Sequence, residues 1–226
     1  MTLLSRLLAR LLIGLLICAV LLFVPAGRLS YWQGWIFIAV FFIPAIFFSF
    51  YLYKYDPNLL ERRLQMREKI NEQRLLVTLV KAVSLGGFVL ASLDYRYGWS
   101  RHYFGAQPLW LKVLSPALVL GGLMLMLWVF TVNSFASRTI QVEASQRVIS
   151  AGPYRLVRHP MYLGSVIMWL ATPIALGSCF ALPAFAALLP FYVFRLLNEE
   201  KVLHRDLPGY SEYCKVTRYH LVPLVW

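Results

Sequence analysis

Hydrophobic residues fall into six long runs along the 226-residue chain, and charged or turn-forming residues separate the runs. A helix needs roughly 20 mainly apolar residues to cross the hydrocarbon core of a bilayer, and lipid does not tolerate an open backbone. The pattern therefore predicts an all-α polytopic integral membrane protein with about six transmembrane helices, with five as the alternative count. The predicted spans are residues 7–24, 35–53, 75–93, 109–132, 161–176 and 180–197.

Composition argues against a soluble protein. Hydrophobic residues make up 60% of the chain, charged residues make up 14%, and the mean hydropathy is +0.64. These values are typical of a multispanning membrane protein. We interpret the first apolar run as a retained span rather than a signal peptide, because no clear small-x-small cleavage site follows it.

The distribution of Lys and Arg predicts the orientation. Cytoplasmic loops carry an excess of both residues, and the six-span arrangement puts sixteen of them on one side and three on the other. We therefore expect both termini to be cytoplasmic, most simply at a bacterial inner membrane. The net charge of +12 then reflects orientation and attraction to anionic lipid heads rather than nucleic-acid binding.

The chain divides near residue 133. Residues 1–132 are predicted to form a four-span region with an amphipathic interfacial helix at 56–74. Residues 133–226 contain a polar loop, a two-helix hairpin and a polar tail, and we expect the chemistry there. The three Cys and four His residues show no disulfide or zinc spacing, so no metal is expected. No G-x-G-x-x-G or P-loop motif is present.

A cationic segment precedes the fifth predicted span. Pro160 suits the first turn of a helix, which places Arg158 and His159 at its N-terminus. Free backbone N–H groups and two basic side chains there favour a carboxylate or phosphate. Tyr162 offers an aromatic wall with a hydroxyl, and Gly164 lets a ligand or a neighbouring helix approach closely.

The return helix of the hairpin brings an acidic pair back to the same end of the hairpin. Glu199 and Glu200 should therefore face Arg158 and His159. One interpretation is an ion pair that closes the helix ends. The other is a site for a zwitterion, in which the carboxylates bind an ammonium group and the cations bind a carboxylate.

The second half of the chain resembles the superfamily of isoprenylcysteine carboxyl methyltransferases and phospholipid methyltransferases. The resemblance covers roughly residues 133–226, and the first four spans carry no such motif. It rests on Gly152-Pro153-Tyr154, Arg158-His159-Pro160-Met161-Tyr162-Leu163-Gly164, Asn198-Glu199-Glu200, Leu207-Pro208-Gly209-Tyr210, Tyr213, Arg218 and Pro223.

The resemblance implies S-adenosylmethionine as the cofactor and assigns roles to particular residues. Those implied as catalytic are Glu199, Glu200 and Arg158. Those implied to bind the cofactor are Tyr154, Arg158, His159, Pro160, Tyr162, Gly164, Glu199, Glu200, Tyr213 and Arg218. The chain departs from many bacterial relatives at His220 and Leu224, where an arginine and a glycine are expected.

The methyl acceptor stays open at this point. A lipidic or prenylated acceptor entering from the membrane is expected, most simply an isoprenylcysteine carboxylate, which is ionised near neutral pH and needs no base. The alternatives are the amine of phosphatidylethanolamine, for which Glu199 or Glu200 would serve as base, and a small thiol. Two other classes remain, an NADPH-dependent sterol-type reductase and a non-catalytic lipid-binding membrane protein.

Overall fold

The computed structural model describes residues 2–65, 71–135 and 146–226, and across these ranges the regular elements are helices without strands. A short 3₁₀ helix at Gly152–Arg155 precedes α7. The α-helices are α1 (Leu3–Ala26), α2 (Trp32–Tyr55), α3 (Pro57–Gln65), α4 (Asn71–Tyr97), α5 (Trp99–Phe104), α6 (Leu109–Val132), α7 (Pro160–Ala175), α8 (Leu182–Ala186), α9 (Leu189–Asp206) and α10 (Tyr210–Val216).

Among the residues that the structure describes, four helices are long and apolar enough to cross a membrane. They are α1, α2, the Thr78–Tyr97 part of α4, and α6, with 24, 24, 20 and 24 residues. Each meets the requirement of about 20 apolar residues, and together they match the first four predicted spans. The prediction of an all-helical integral membrane protein is confirmed in these respects.

The hairpin in the second half differs from the prediction. Helix α7 is apolar but has 16 residues, and the predicted sixth span at 180–197 is not one helix. It is divided between α8 and α9, which begin with Pro183 and Pro190 in their first turns. Proline has no N–H to continue a preceding helix but fits the first turn of a new one. A count of six spans is therefore not confirmed.

Helices α6 and α7 touch through their backbones. A Cβ atom added to Gly164 would lie 2.6 Å from the Gly122 carbonyl oxygen, and one added to Gly122 would lie 2.5 Å from the Gly164 carbonyl oxygen. Small residues at both positions allow this close approach, as is common between membrane helices. The contact fixes α7 against α6 and so determines where the N-terminus of α7 lies.

The N-terminal helices pack against the hairpin at its other end. The Tyr31 hydroxyl is fully buried and donates a 2.8 Å hydrogen bond to the Leu176 carbonyl oxygen. Phe185 of α8 is also fully buried, in the same core as Leu22 and Phe37. The hairpin is therefore part of the main hydrophobic core of the protein.

Helix α3 corresponds to the first part of the predicted interfacial helix. Its Leu59 and Leu60 are buried against Leu7 and Leu52 of α1 and α2, which fits an amphipathic helix at an interface. Residues 66–70 of that prediction lie outside the described ranges, and 71–74 begin α4. The division of function between 1–132 and 133–226 stays a prediction.

Candidate functional site

The start of α7 is held by the C-terminal tail. His159 is the N-cap of α7, and Pro160 occupies the first turn. The backbone N–H of Arg158 donates to the Tyr219 carbonyl at 2.9 Å, and that of His159 donates to the His220 carbonyl at 3.0 Å. The tail therefore lies directly alongside the cationic segment.

Glu200 of α9 accepts hydrogen bonds from three side chains. Its Oε2 atom accepts from Arg158 Nη1 at 2.9 Å. Its Oε1 atom lies 2.8 Å from both His159 Nε2 and the Tyr210 hydroxyl. All four side chains are almost wholly buried. We call Arg158, His159, Glu200 and Tyr210 the Glu200 cluster.

The surroundings of Glu200 keep it ionised. Burial alone would raise the pKa of this carboxyl. The hydrogen bond and charge of His159, the hydrogen bond from Tyr210 and the charge of Arg158 outweigh burial and lower the pKa from 4.5 to about 2. A carboxylate with so low a pKa is a weak base. Glu200 is therefore poorly suited to act as a general base near neutral pH.

Glu199 lies beside this cluster and faces α7. Its Oε2 atom accepts a 2.7 Å hydrogen bond from the Tyr162 hydroxyl. Tyr162 is 5% exposed and packs with Leu196 and Leu221. The two adjacent glutamates thus contact different residues at the start of α7. Both lie at the end of the hairpin where the sequence predicted them.

Tyr154 and Tyr213 connect the tail to the 3₁₀ helix. The Tyr213 hydroxyl donates to the Tyr154 carbonyl at 2.7 Å, and the Tyr154 hydroxyl accepts from Asn133 Nδ2 at 2.7 Å. Tyr213 packs against Tyr210 of the Glu200 cluster. These two tyrosines therefore adjoin the cluster without contacting the Glu200 carboxylate.

Two of the predicted cofactor residues lie differently from the others. Gly164 faces Gly122 of α6, which accounts for its lack of a side chain. The Arg218 residue is exposed, and its carbonyl, rather than its guanidinium, accepts a 2.8 Å hydrogen bond from Arg158 Nη2. Neither Gly164 nor the guanidinium of Arg218 is part of the Glu200 cluster.

Several residues to which the sequence assigned no role complete the arrangement. Tyr210 follows Leu207-Pro208-Gly209, and Gly209 adopts a left-handed conformation with φ of 81° that lets α10 begin there. That turn was the available signal for Tyr210. His220 Nδ1 and Cys214 Sγ each lie 3.4 Å from an Arg158 nitrogen, and no local motif indicates either contact.

One group of side chains in this region has the spacing of a metal site. Ligand atoms of Glu200, His204 and Cys214 lie within 4.8 Å of one another. The Arg158 guanidinium already contacts both Glu200 Oε2 and Cys214 Sγ. The positive charge that a metal would bring to these atoms is supplied by arginine, and we assign no metal there.

Part of the chain is similar to a known family. Residues 110–207 match the phospholipid methyltransferase family, a region that includes nearly all of α6 and the whole of α7, α8 and α9. The match confirms the resemblance to the superfamily of membrane methyltransferases and supports a membrane methyltransferase. Enzymes of this family use S-adenosylmethionine.

A second likeness concerns a different activity. A 94-residue stretch is 33% identical to the Delta(14)-sterol reductase TM7SF2 of Mus musculus, covering 39% of this chain and 22% of that protein. The chain therefore spans about a fifth of the length of this relative.

Proposed function

We propose that the chain is an integral membrane methyltransferase that moves a methyl group from S-adenosylmethionine to a lipidic acceptor, with an isoprenylcysteine-type carboxylate as the favoured acceptor. The observation that carries the proposal is the Glu200 cluster at the start of α7. Its residues Arg158, His159 and Glu200 lie within the region that matches the methyltransferase family. Residues 133–226 would form the catalytic region.

The residues present fit the amino acid part of this cofactor. The buried Nε–H of Arg158 has no acceptor among the described residues, so a donor remains for a carboxylate. The first N–H groups of α7 are also free of helical partners, and they lie next to His159. Glu199 supplies a carboxylate for the ammonium group. Glu200 is engaged by three partners and orients Arg158 and His159.

The cofactor would supply an electrophilic methyl group on a sulfonium. Methyl transfer is an in-line displacement, so the protein mainly positions the two reactants and excludes water. A carboxylate acceptor needs no base, and this agrees with the low pKa of Glu200. The description of the matched family favours a phospholipid amine as the second candidate acceptor. For an amine acceptor, Glu199 rather than Glu200 would be the base. A small thiol is the third candidate acceptor.

The likeness to a sterol reductase supports one candidate of another class. A reductase would bind NADPH in place of S-adenosylmethionine. Calorimetric titration of the detergent-purified chain with S-adenosylhomocysteine, and with NADPH in parallel, separates the two. One-site binding of S-adenosylhomocysteine alone is expected. Binding of NADPH alone would replace the proposal with a reductase, and binding of neither would favour a non-catalytic lipid-binding protein.

Substitutions in the Glu200 cluster test whether S-adenosylhomocysteine binds there. Glu200→Gln and His159→Ala should each abolish measurable binding of S-adenosylhomocysteine in protein that remains folded at low temperature. Glu212→Gln is the matched control, because Glu212 is an exposed acid on α10. Full affinity in both cluster variants would exclude this site as the place where the cofactor binds.

The acceptor is tested by transfer of a radiolabelled methyl group. Prenylated cysteine, phosphatidylethanolamine and a small thiol are compared under one set of conditions, and the prenylated cysteine is expected to be labelled fastest. Faster labelling of phosphatidylethanolamine, with a rate that rises with pH and is lost in Glu199→Gln, would favour the amine.

The orientation and partners follow from the same proposal. Both termini would lie in the cytoplasm of a bacterial cell, where the polar cofactor is available, and the acceptor would enter from the membrane lipids. A reporter fused after Trp226 that is active only in the cytoplasm tests this orientation.

A further inference from the structure

A cavity lies at the opposite end of α7 from the Glu200 cluster. Its volume is about 750 Å³, within the usual range for ligand sites. The walls come from the ends of α2 and α4, from α5, from residues 105–108, from the start of α6 and from the turn between α7 and α8. Since α7 has 16 residues, at about 1.5 Å per residue the two sites are about 24 Å apart.

Three cations line this cavity. They are Arg96, Arg101 and Lys112, one each from α4, α5 and α6. In the proposed orientation this is the outer side, where Lys and Arg are scarce because they oppose the topology. Three of the four Lys or Arg residues at this end of the spans therefore line one cavity, and Arg28 is the remaining one. Their convergence indicates a site for an anion.

The single acid among the described lining residues does not cancel this charge at the cavity surface. Asp94 is 1% exposed. It accepts hydrogen bonds from the Ser100 N–H at 2.7 Å and from the hydroxyls of Ser100 and Ser178. These contacts join α4, α5 and the turn after α7. Asp94 therefore stabilises the cavity wall, and the cavity does not need a ligand in order to form.

Aromatic side chains supply the other half of the chemistry. Trp32, Tyr97 and Phe104 also line the cavity, and they are 43%, 61% and 68% exposed. Aromatic rings of this kind lie at the level of lipid head groups. A ligand with a phosphate and an apolar body would contact the cations and the rings together.

We propose that this cavity binds an anionic phospholipid of the adjacent leaflet, with its phosphate held by Arg96, Arg101 and Lys112. The proposal depends on the membrane location of the chain and not on methyl transfer. It adds a lipid-binding site distinct from the Glu200 cluster, and this lipid is separate from any methyl acceptor.

The test measures thermal stabilisation of the full chain purified in neutral detergent. Dioctanoyl phosphatidylglycerol is compared with dioctanoyl phosphatidylcholine and with inorganic phosphate. The first should raise the unfolding midpoint progressively, with the logarithm of its concentration above the dissociation constant, and the other two should have little effect. Equal stabilisation by phosphatidylcholine would refute anion recognition, and equal stabilisation by inorganic phosphate would replace the lipid with a soluble ligand.

Substitutions of the cavity cations test whether phosphatidylglycerol binds in this cavity. A cation near an anionic lipid contributes a factor of about five in affinity, so Arg101→Gln should weaken phosphatidylglycerol binding about fivefold. The triple replacement R96Q, R101Q and K112Q should weaken it on the order of 100-fold. The matched control replaces three exposed cations elsewhere: R28Q, K201Q and K215Q. Unchanged binding in the cavity variants, or an equal loss in the control, would overturn the proposal.

Discussion

Replacement of Glu200 by glutamine tests the organisation of the site most directly. Glutamine keeps the shape of the side chain but removes its charge. The nearly buried guanidinium of Arg158 then loses its counter-charge at 2.9 Å, and His159 loses its partner at 2.8 Å. Because breaking a buried ion pair leaves an uncompensated charge, we expect Glu200→Gln to lower the free energy of unfolding.

The magnitude follows from the pKa of Glu200. One pKa unit corresponds to about 1.4 kcal/mol, and the pKa falls from 4.5 to about 2 on folding. The native contacts of the ionised form therefore contribute about 3 kcal/mol. This agrees with the cost of about 3–5 kcal/mol for removing one partner of a buried pair. The unfolding midpoint of the variant should fall by roughly 6–12 °C.

The pH dependence has a definite sign. The pKa of Glu200 is lower in the folded state, so its contribution is complete above the unfolded value of 4.5 and is lost as the pH falls to about 2. The variant lacks the titrating group. The difference in stability between the two proteins should therefore be constant above pH 5 and should shrink towards zero between pH 4.5 and 2.

The assay is thermal unfolding in detergent, followed by tryptophan fluorescence from pH 2 to pH 8. Other carboxyl groups titrate in both proteins, so their effects cancel in the difference. Glu212→Gln provides the control, since Glu212 is exposed and its replacement should change stability little. A Glu200→Gln protein as stable as wild type at neutral pH, or a difference that does not depend on pH, would refute the reasoning.

Two further predictions concern single contacts. Tyr210→Phe removes the 2.8 Å hydrogen bond to Glu200 and should cost about 1.5–3 kcal/mol, with the acid transition moved to higher pH in the same assay; an unchanged transition would contradict this. Gly164→Ala places a Cβ 2.6 Å from the Gly122 carbonyl and should cost at least about 1–3 kcal/mol. Gly86→Ala is its control, because the new Cβ there would meet no atom within 4 Å apart from its chain neighbours and the nearby backbone of its own helix. Equal melting of the two alanine variants would count against the close contact of α6 and α7.

The membrane helices could be predicted from the sequence because their signal is local. Apolar runs of sufficient length identified α1, α2, α4 and α6 to within a few residues. The contact of Arg158 and His159 with Glu200 was also predictable, because a hairpin brings the charged residues at its two chain ends together. Glu199 was predicted to face the same two residues, and it contacts Tyr162. The sequence predicted a single span at residues 180–197, whereas the structure divides it between α8 and α9. Pro183 and Pro190 each begin a new helix.

Other features could not be predicted because they depend on contacts between distant segments. The contacts of Arg158 with Cys214 and His220 join residues 56 and 62 positions apart. The pairing of Gly122 with Gly164 joins two helices separated by a long polar loop. A single sequence shows that Gly164 permits a close approach, but it does not show whether a ligand or a helix makes that approach.

The two interpretations of the acidic pair are compatible once each glutamate is considered separately. Glu200 forms the ion pair that closes the helix ends, with Arg158 and His159 as its partners. A carboxylate so engaged has little capacity left for the ammonium group of a ligand. Glu199 contacts Tyr162 and lies outside the Glu200 cluster, so it is the better candidate for direct contact. Two variants should then distinguish positioning from contact. Glu200→Asp has a shorter carboxylate that still pairs with Arg158, so it should preserve part of the cofactor affinity. Glu199→Gln should lose the contact with the ammonium group without a comparable loss of stability.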